Sequence, residues 1–142
     1  MKDEYTHTFY KILKTTQEQY NCTVPEDVEA YLVILLSSFV ERSDVPRDEP
    51  FAIAFLQLDS KPASYAKELG DDCLFITSMF PSYMTSRGLS ANYLSDIGAT
   101  SYGVAAERMN NSMFSRISRE FDLCRSILCK TADDPVTRLL NR

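Results

Sequence analysis

Two adjacent carboxylates, Asp71 and Asp72 in "ELGDDCLFITSMF", are the residues of this sequence whose types most suggest chemistry. At about 100° per residue, Asp72 falls within the apolar arc of the helix that this stretch predicts, whereas Asp71 points to the wetter side, beside Lys67. The two acids therefore do not converge on a shared proton or metal ion. We expect Asp72 to be partly buried, where it needs a hydrogen-bond donor or a cation to stay ionised.

Three residues further along the chain could supply a donor to Asp72, namely Arg87, Tyr93 and Tyr102. Together with Asp72 they form the predicted ligand-binding site, in which Asp72 or Arg87 is the polar anchor. A buried polar link that only fixes the register of two helices is the alternative interpretation. A third is an enzyme that uses Asp72 as a general base, and it requires a cleft that reaches the carboxylate.

Other chemical signals are weak. His7 is the only histidine, which excludes a metal site with two histidines and leaves no base beside a nucleophile. Cys124 and Cys129 lie about 140° apart around a helix, and Cys22 and Cys73 have no neighbour at a metal-ligand spacing. The sequence contains no phosphate loop, dinucleotide fingerprint or nucleophile elbow. We therefore predict no metal and no cofactor, and we favour a protein that is not an enzyme.

Glycines inside predicted helices indicate where helices touch. Gly70, Gly98 and Gly103 each cost a helix about 1 kcal/mol relative to alanine, so a close contact should offset the loss. Gly98 shares an apolar arc of small side chains with Ala105, and Gly70 is a complementary small site on the preceding long helix. We predict helix-contact roles for Gly70, Gly98 and Ala105, with the two helices crossing near Gly98.

The elements that must position these residues have helical periodicity nearly everywhere. Helices are predicted at 5–20, from Pro25 onward, at 50–59, from Pro62 to about Phe80, at about 91–108, at 112–128, and in a short last segment capped by Asp133 or Asp134. Ser90 is the predicted cap of the helix at 91–108, "ERSDVPRDEP" is a connection, and "FPSYMTSRGLS" is a break. We expect an all-α single domain over residues 1–142, a bundle of six or seven mostly antiparallel helices. The second helix, apolar on nearly all sides from Tyr31 to Leu36, is expected to be the most buried.

Charge and apolar content restrict the possible partners. A formal net charge of −5 opposes binding to phosphate backbones, so we expect no nucleic-acid partner. The longest apolar run spans six residues, far below the roughly 20 that cross a bilayer, so we expect no membrane span. The start "MKDEYTHTFY" lacks the apolar core of a secretion signal. Four cysteines without such a signal predict reduced thiols and a cytoplasmic location.

Four stretches of the chain, "AYLVILLSSFV", "LGDDCLFITSMFP", "SANYLSDIGATSYG" and "FSRISREFD", resemble a family of small bacterial all-helical proteins of unassigned function. The likeness covers about residues 30–122 and rests chiefly on Leu69, Gly70, Asp71, Phe75, Phe80, Tyr93, Gly98 and Tyr102. The resemblance implies a cytoplasmic bacterial protein. It implies no catalytic residue, because the family supplies none.

The leading functional prediction is a non-enzymatic binding or regulatory module that acts through protein–protein contacts, as a homodimer or with another protein. Core patterning is abundant, whereas no acid, base and nucleophile converge. Apolar residues of "FAIAFLQL" and "VTRLLNR" are expected to stay uncovered in one chain and to form the dimer contact. The alternatives are a bundle that binds a small apolar or aromatic ligand between its helices, and an enzyme that uses buried Asp72.

Overall fold

A computed structural model describes residues 2–41 and 49–140 of the chain, which contain nine α-helices, one short 3-10 turn and no strand. The predicted all-α fold class is confirmed. The helices are α1 (Lys2–Gln19), α2 (Glu26–Glu41), α3 (Phe51–Leu56), α4 (Ala63–Met79), α5 (Pro81–Ser86), α6 (Ala91–Met109), α7 (Ser112–Arg119), α8 (Phe121–Ala132) and α9 (Pro135–Leu140), with the 3-10 turn at Leu58–Ser60. Most of the predicted connection "ERSDVPRDEP" lies outside the described residues.

The described residues hold more helices than the six or seven expected, for two local reasons. Pro81 opens α5 inside the stretch predicted as a break, since its fixed φ suits a first helical turn. The helix expected at 112–128 divides at Glu120, whose φ of −110° and ψ of 31° are not helical. The division allows Phe121, the first residue of α8, to pack over Gly98.

Helix ends agree with the capping signals of the sequence. The Ser90 side chain accepts a hydrogen bond of 3.0 Å from the backbone N–H of Tyr93 at the start of α6. Asp134 accepts one of 2.9 Å from the backbone N–H of Val136 at the start of α9. Helix α2 begins directly after Pro25. The predictions of Ser90 and Asp134 as caps, and of Pro25 as the start of the second helix, are confirmed.

The centre of the bundle is α4, which packs most extensively against α6 and also contacts α2, α3, α5 and α8. Ten of its 17 residues are buried. The expectation that the second helix is the most buried is wrong, because α2 leaves one face open, where Ile34 is 58% exposed. The carboxylates Asp71 and Asp72 therefore lie on a helix that packs against five others.

Helices α4 and α6 approach each other at two glycines. A Cβ atom on Gly70 would lie 2.9 Å from the Tyr102 ring of α6, and one on Gly98 would lie 2.8 Å from the Cβ of Cys73 on α4. The same atom on Gly98 would be 2.6 Å from the ring of Phe121. Ala105, one of the predicted helix-contact residues, is fully buried on α6. The missing side chains are thus what permits the close packing of these two helices.

Helices α1 and α2 are joined by a buried carboxylate that the sequence did not single out. Glu29 is 2% exposed, and its Oε2 accepts a 2.5 Å hydrogen bond from Nε2 of Gln17. The Lys14 ammonium lies 3.4 Å from Oε1 of Glu29. Gln17 also accepts a 3.0 Å hydrogen bond from the backbone N–H of Val24, so the turn between the two helices is fixed at both ends.

Over residues 2–41 and 49–140, no helix is both long enough and apolar enough to cross a bilayer.

Candidate functional site

A cluster of polar side chains that joins three helices is centred on Asp71 of α4. One of its oxygens, Oδ1, accepts a hydrogen bond of 2.5 Å from the hydroxyl of Tyr31 on α2 and another of 2.5 Å from the hydroxyl of Tyr102 on α6. The other oxygen, Oδ2, accepts a 2.9 Å charge-assisted bond from Lys67, one helical turn earlier. We call these four residues the Asp71 cluster.

The geometry of the Asp71 cluster follows from Gly70 and an aromatic stack. Because Gly70 has no side chain, the ring of Tyr102 lies across α4 there, and its hydroxyl reaches the next residue, Asp71. Phe114 of α7 stacks on Tyr102 at a centroid distance of 5.9 Å and meets Tyr31 edge-on at 5.4 Å. One aromatic ring therefore positions both phenols.

Burial and charge keep both phenols protonated. Burial raises the pKa of Tyr102 well above its ordinary value of 10.0, and the Asp71 charge raises it further. The same two causes, in the same order, raise the pKa of Tyr31. Both hydroxyls thus remain donors, and the Asp71 carboxylate accepts bonds from two phenols and one ammonium. A carboxylate engaged in this way is a structural junction of three helices and is poorly placed to act as a base.

Asp72, the carboxylate that the sequence favoured, is 8% exposed on α4, and the side chain of Asp71 is 16% exposed. The predicted bond from Tyr102 to Asp72 is wrong, because Tyr102 donates to Asp71. The reason is that Tyr102 crosses α4 at Gly70 and so reaches the flank of the helix on which Asp71 lies. The sequence analysis did not identify Tyr31 as a hydrogen-bond partner of Asp71. The available clue was that Tyr31 is the one residue with a polar group at the start of the apolar run Tyr31–Leu36.

A second feature is an exposed apolar groove between α3 and α6, which we call the α3 surface. It is formed by Ala52, Phe55 and Leu56 of α3 and by Tyr93, Asp96, Ile97 and Thr100 of α6. The groove has a volume of about 330 Å³. Leu56 is 82% exposed, the highest value of any large apolar side chain in the described residues, and Ile53 is 47% exposed.

Beside the α3 surface lies a smaller cavity of about 240 Å³, which we call the Arg87 cavity. Arg87 and Tyr93, two of the four predicted ligand-binding residues, both line it. The guanidinium of Arg87 lies 4.0 Å from the centre of the Tyr83 ring. Asp72 and Tyr102 are not among the described residues that line this cavity, so the four predicted residues do not form one site.

The described residues hold no group of three or more histidine, cysteine or carboxylate side chains placed to bind a metal ion. None of the four cysteines forms a disulfide; Cys73 and Cys124 are buried, and Cys22 and Cys129 are half-buried. Burial, with a smaller contribution from Glu120, raises the pKa of Cys124 to about 12, which makes its thiol a poor nucleophile at neutral pH.

The chain matches no known family model, and no curated protein or solved structure is significantly similar to it. Its function therefore has to be argued from the α3 surface, the Arg87 cavity and the Asp71 cluster.

Proposed function

We propose that this protein is a non-enzymatic interaction module that works as a homodimer joined through the α3 surface. The observation that carries the proposal is the exposure of Leu56, 82%, directly beside an apolar groove of about 330 Å³. Burying one large aliphatic side chain stabilises a complex by about 1.5–3 kcal/mol. A contiguous apolar patch of this kind is typical of protein interaction sites.

The same surface carries both parts that a two-fold contact needs. In a two-fold dimer both protomers use the same surface patch, so that patch must contain both a protruding side chain and a recess that accepts the partner's copy of it. Leu56 protrudes, and the groove between Phe55 and Ile97 is the recess. Charges of both signs, Asp96 in the groove and Arg87 in the adjoining cavity, favour contact between two identical surfaces over contact with a strongly charged partner.

The Asp71 cluster supports a role without catalysis. Its carboxylate already accepts three donors, and its phenols are held protonated. Four cysteines without a disulfide support a location in a reducing compartment, and the proposal places the protein in the cytoplasm. A carboxylate already bonded to three donors of its own fold fits a binding protein better than an enzyme that uses this group as a base.

The test of the proposal is the concentration dependence of mass, measured by analytical ultracentrifugation on the parent and two variants. Leu56→Asp buries a charge in the proposed contact, so we expect its dimer dissociation constant to rise at least tenfold, which corresponds to about 1.4 kcal/mol. Ile34→Asp is the matched control, because Ile34 is 58% exposed on α2, away from α3. We expect it to dimerise like the parent.

Two results would remove the proposal. One is a parent protein that stays monomeric up to millimolar concentration. The other is a dimer that Ile34→Asp dissociates and Leu56→Asp leaves intact, which would move the contact to α2.

A further inference from the structure

We propose that the Arg87 cavity binds a small ligand that combines one carboxylate with an apolar, single-ring body. This inference goes beyond dimer formation and does not depend on it.

The cavity provides the walls for such a body. Phe51 is 4% exposed and forms a fixed apolar wall, and Leu89 and Tyr93 form others. A volume of about 240 Å³ is below the usual range for drug-sized ligands, so a single ring fits better than a nucleotide or a fused ring system. The walls would bury the ring while the polar end of the ligand faces Arg87.

Arg87 provides the anchor. Its guanidinium lies 4.0 Å from the centre of the Tyr83 ring, a stacking contact that holds the plane of the group. Three other arginines of the described residues have carboxylate partners: Arg108 pairs with Asp59, Arg116 with Glu120, and Arg138 with Asp133. Among the described residues no carboxylate forms an ion pair with Arg87, so its fork of N–H donors is available to a ligand.

The remaining charged group of the cavity, Glu49, is already engaged. Its Oε1 accepts a 2.7 Å hydrogen bond from the hydroxyl of Tyr65. Of the described residues that line the cavity, Arg87 is the only cation, and no ion pair joins it to Glu49, so it remains open to a monoanion. A planar carboxylate can accept two parallel hydrogen bonds from the guanidinium of Arg87, and it brings less charge than a phosphate into the small space beside Phe51 and Leu89.

The test is a titration with hydrocinnamate, a carboxylate on a single aromatic ring, followed by amide proton–nitrogen NMR spectra. Hydrocinnamamide, its neutral isostere, is the matched probe. We expect saturable shifts at Phe51, Leu89 and Tyr93 with the carboxylate, and binding at least tenfold weaker with the amide. Arg87→Gln should weaken hydrocinnamate binding at least tenfold, whereas Arg87→Lys, which keeps the charge, should weaken it less.

Arg119→Gln is the control for net charge, because Arg119 is exposed on α7 and does not line the cavity. It should bind hydrocinnamate like the parent. Absence of saturable shifts, equal binding of acid and amide, or unchanged affinity in a folded Arg87→Gln would overturn the inference. Repeating the titration on Leu56→Asp separates it from dimer formation, because the ligand site predicts binding there whether or not the parent dimerises.

Discussion

At the scale of single residues, Asp71 explains how three helices hold one arrangement. Its carboxylate accepts bonds from Tyr31 of α2 and Tyr102 of α6, and both phenols would be left with a weaker, neutral acceptor if the charge were removed. Hydrogen bonds to a charged group contribute more than bonds between neutral groups. The stability of the core should therefore depend on this one side chain more than on exposed aspartates.

The first prediction is that Asp71→Asn lowers the free energy of unfolding by about 1–3 kcal/mol, because the phenols and Lys67 then face a neutral amide. Urea unfolding measures the change. Asp122→Asn, the same substitution at an exposed position of α8, should stay within about 0.5 kcal/mol of the parent. Equal midpoints for the two variants would show that the Asp71 cluster contributes nothing to stability.

The second prediction concerns alkaline pH. Tyrosine ionises near pH 10 in the unfolded chain, whereas the pKa of Tyr102 in the folded protein is raised by burial and by Asp71. A raised folded pKa means that the stabilisation is complete below about pH 10 and is lost as the pH rises above it. The stability advantage of the parent over Tyr102→Phe should therefore shrink above pH 10, by up to about 1.4 kcal/mol per pH unit.

Urea unfolding of both proteins on either side of pH 10 checks this, since the two proteins contain the same lysines and cysteines. An advantage that stays constant with pH would contradict the assignment of Tyr102 as a protonated donor.

At the scale of elements, the crossing of α4 and α6 depends on missing side chains. Gly98→Ala would place a Cβ atom 2.6 Å from the Phe121 ring and 2.8 Å from the Cβ of Cys73. We expect this third substitution to destabilise the protein by about 1–3 kcal/mol, more than the roughly 1 kcal/mol that alanine adds to helix propensity. Thermal unfolding measures the difference.

Gly103→Ala, on the same helix, is the control for the crossing. The nearest atom to its added Cβ would be Oγ of Ser118 at 3.2 Å, a small side chain that can shift. Its midpoint should lie near or above that of the parent. A rise in stability for Gly98→Ala as well would mean that α4 and α6 do not touch where we place the contact.

Local sequence patterns were sufficient to predict the position of most helices. Apolar periodicity located the long helices, and the hydroxyl of Ser90 and the carboxylate of Asp134 marked two helix starts. The break in the helix at Glu120 was not predicted, because the pattern of apolar residues continues through it. Only the tertiary packing of Phe121 over Gly98 accounts for the break. Helix α5 was not predicted, because Pro81 is as compatible with a turn as with the first residue of a helix.

The candidate site was less accessible to prediction. The helical phase predicted that Asp72 is more buried than Asp71. It does not predict which side chains of other helices contact either residue. The partners of Asp71 depend on Tyr102 crossing α4 at Gly70, a tertiary contact. Arg87 and Tyr93 were paired by their types, and both line the Arg87 cavity, whereas Asp72 and Tyr102 belong to the packed core.

At the scale of the whole molecule, the polar clusters around Asp71 and Glu29 stabilise the fold, whereas the α3 surface and the Arg87 cavity are the places where we propose that partners bind. The bonded groups of the core, Asp71 and Glu29 among them, are held by the protein's own side chains. The side chains on which the two proposals rest lie at the surface, around the α3 groove and in the Arg87 cavity. Recognition by this protein should therefore occur at the face that α3 and α6 share, and α3, with six residues, is the short element that presents it.

The most direct measurement of the central claim is an isotope-filtered NOE experiment on a mixed sample in which half of the protomers are labelled. Only contacts between protomers give signals in this experiment. The proposed two-fold dimer predicts NOEs from the Leu56 methyl groups of one protomer to the rings of Phe55 and Tyr93 of its partner. A sample shown to be dimeric that gives intermolecular NOEs from Ile34 and none from Leu56 would contradict the account.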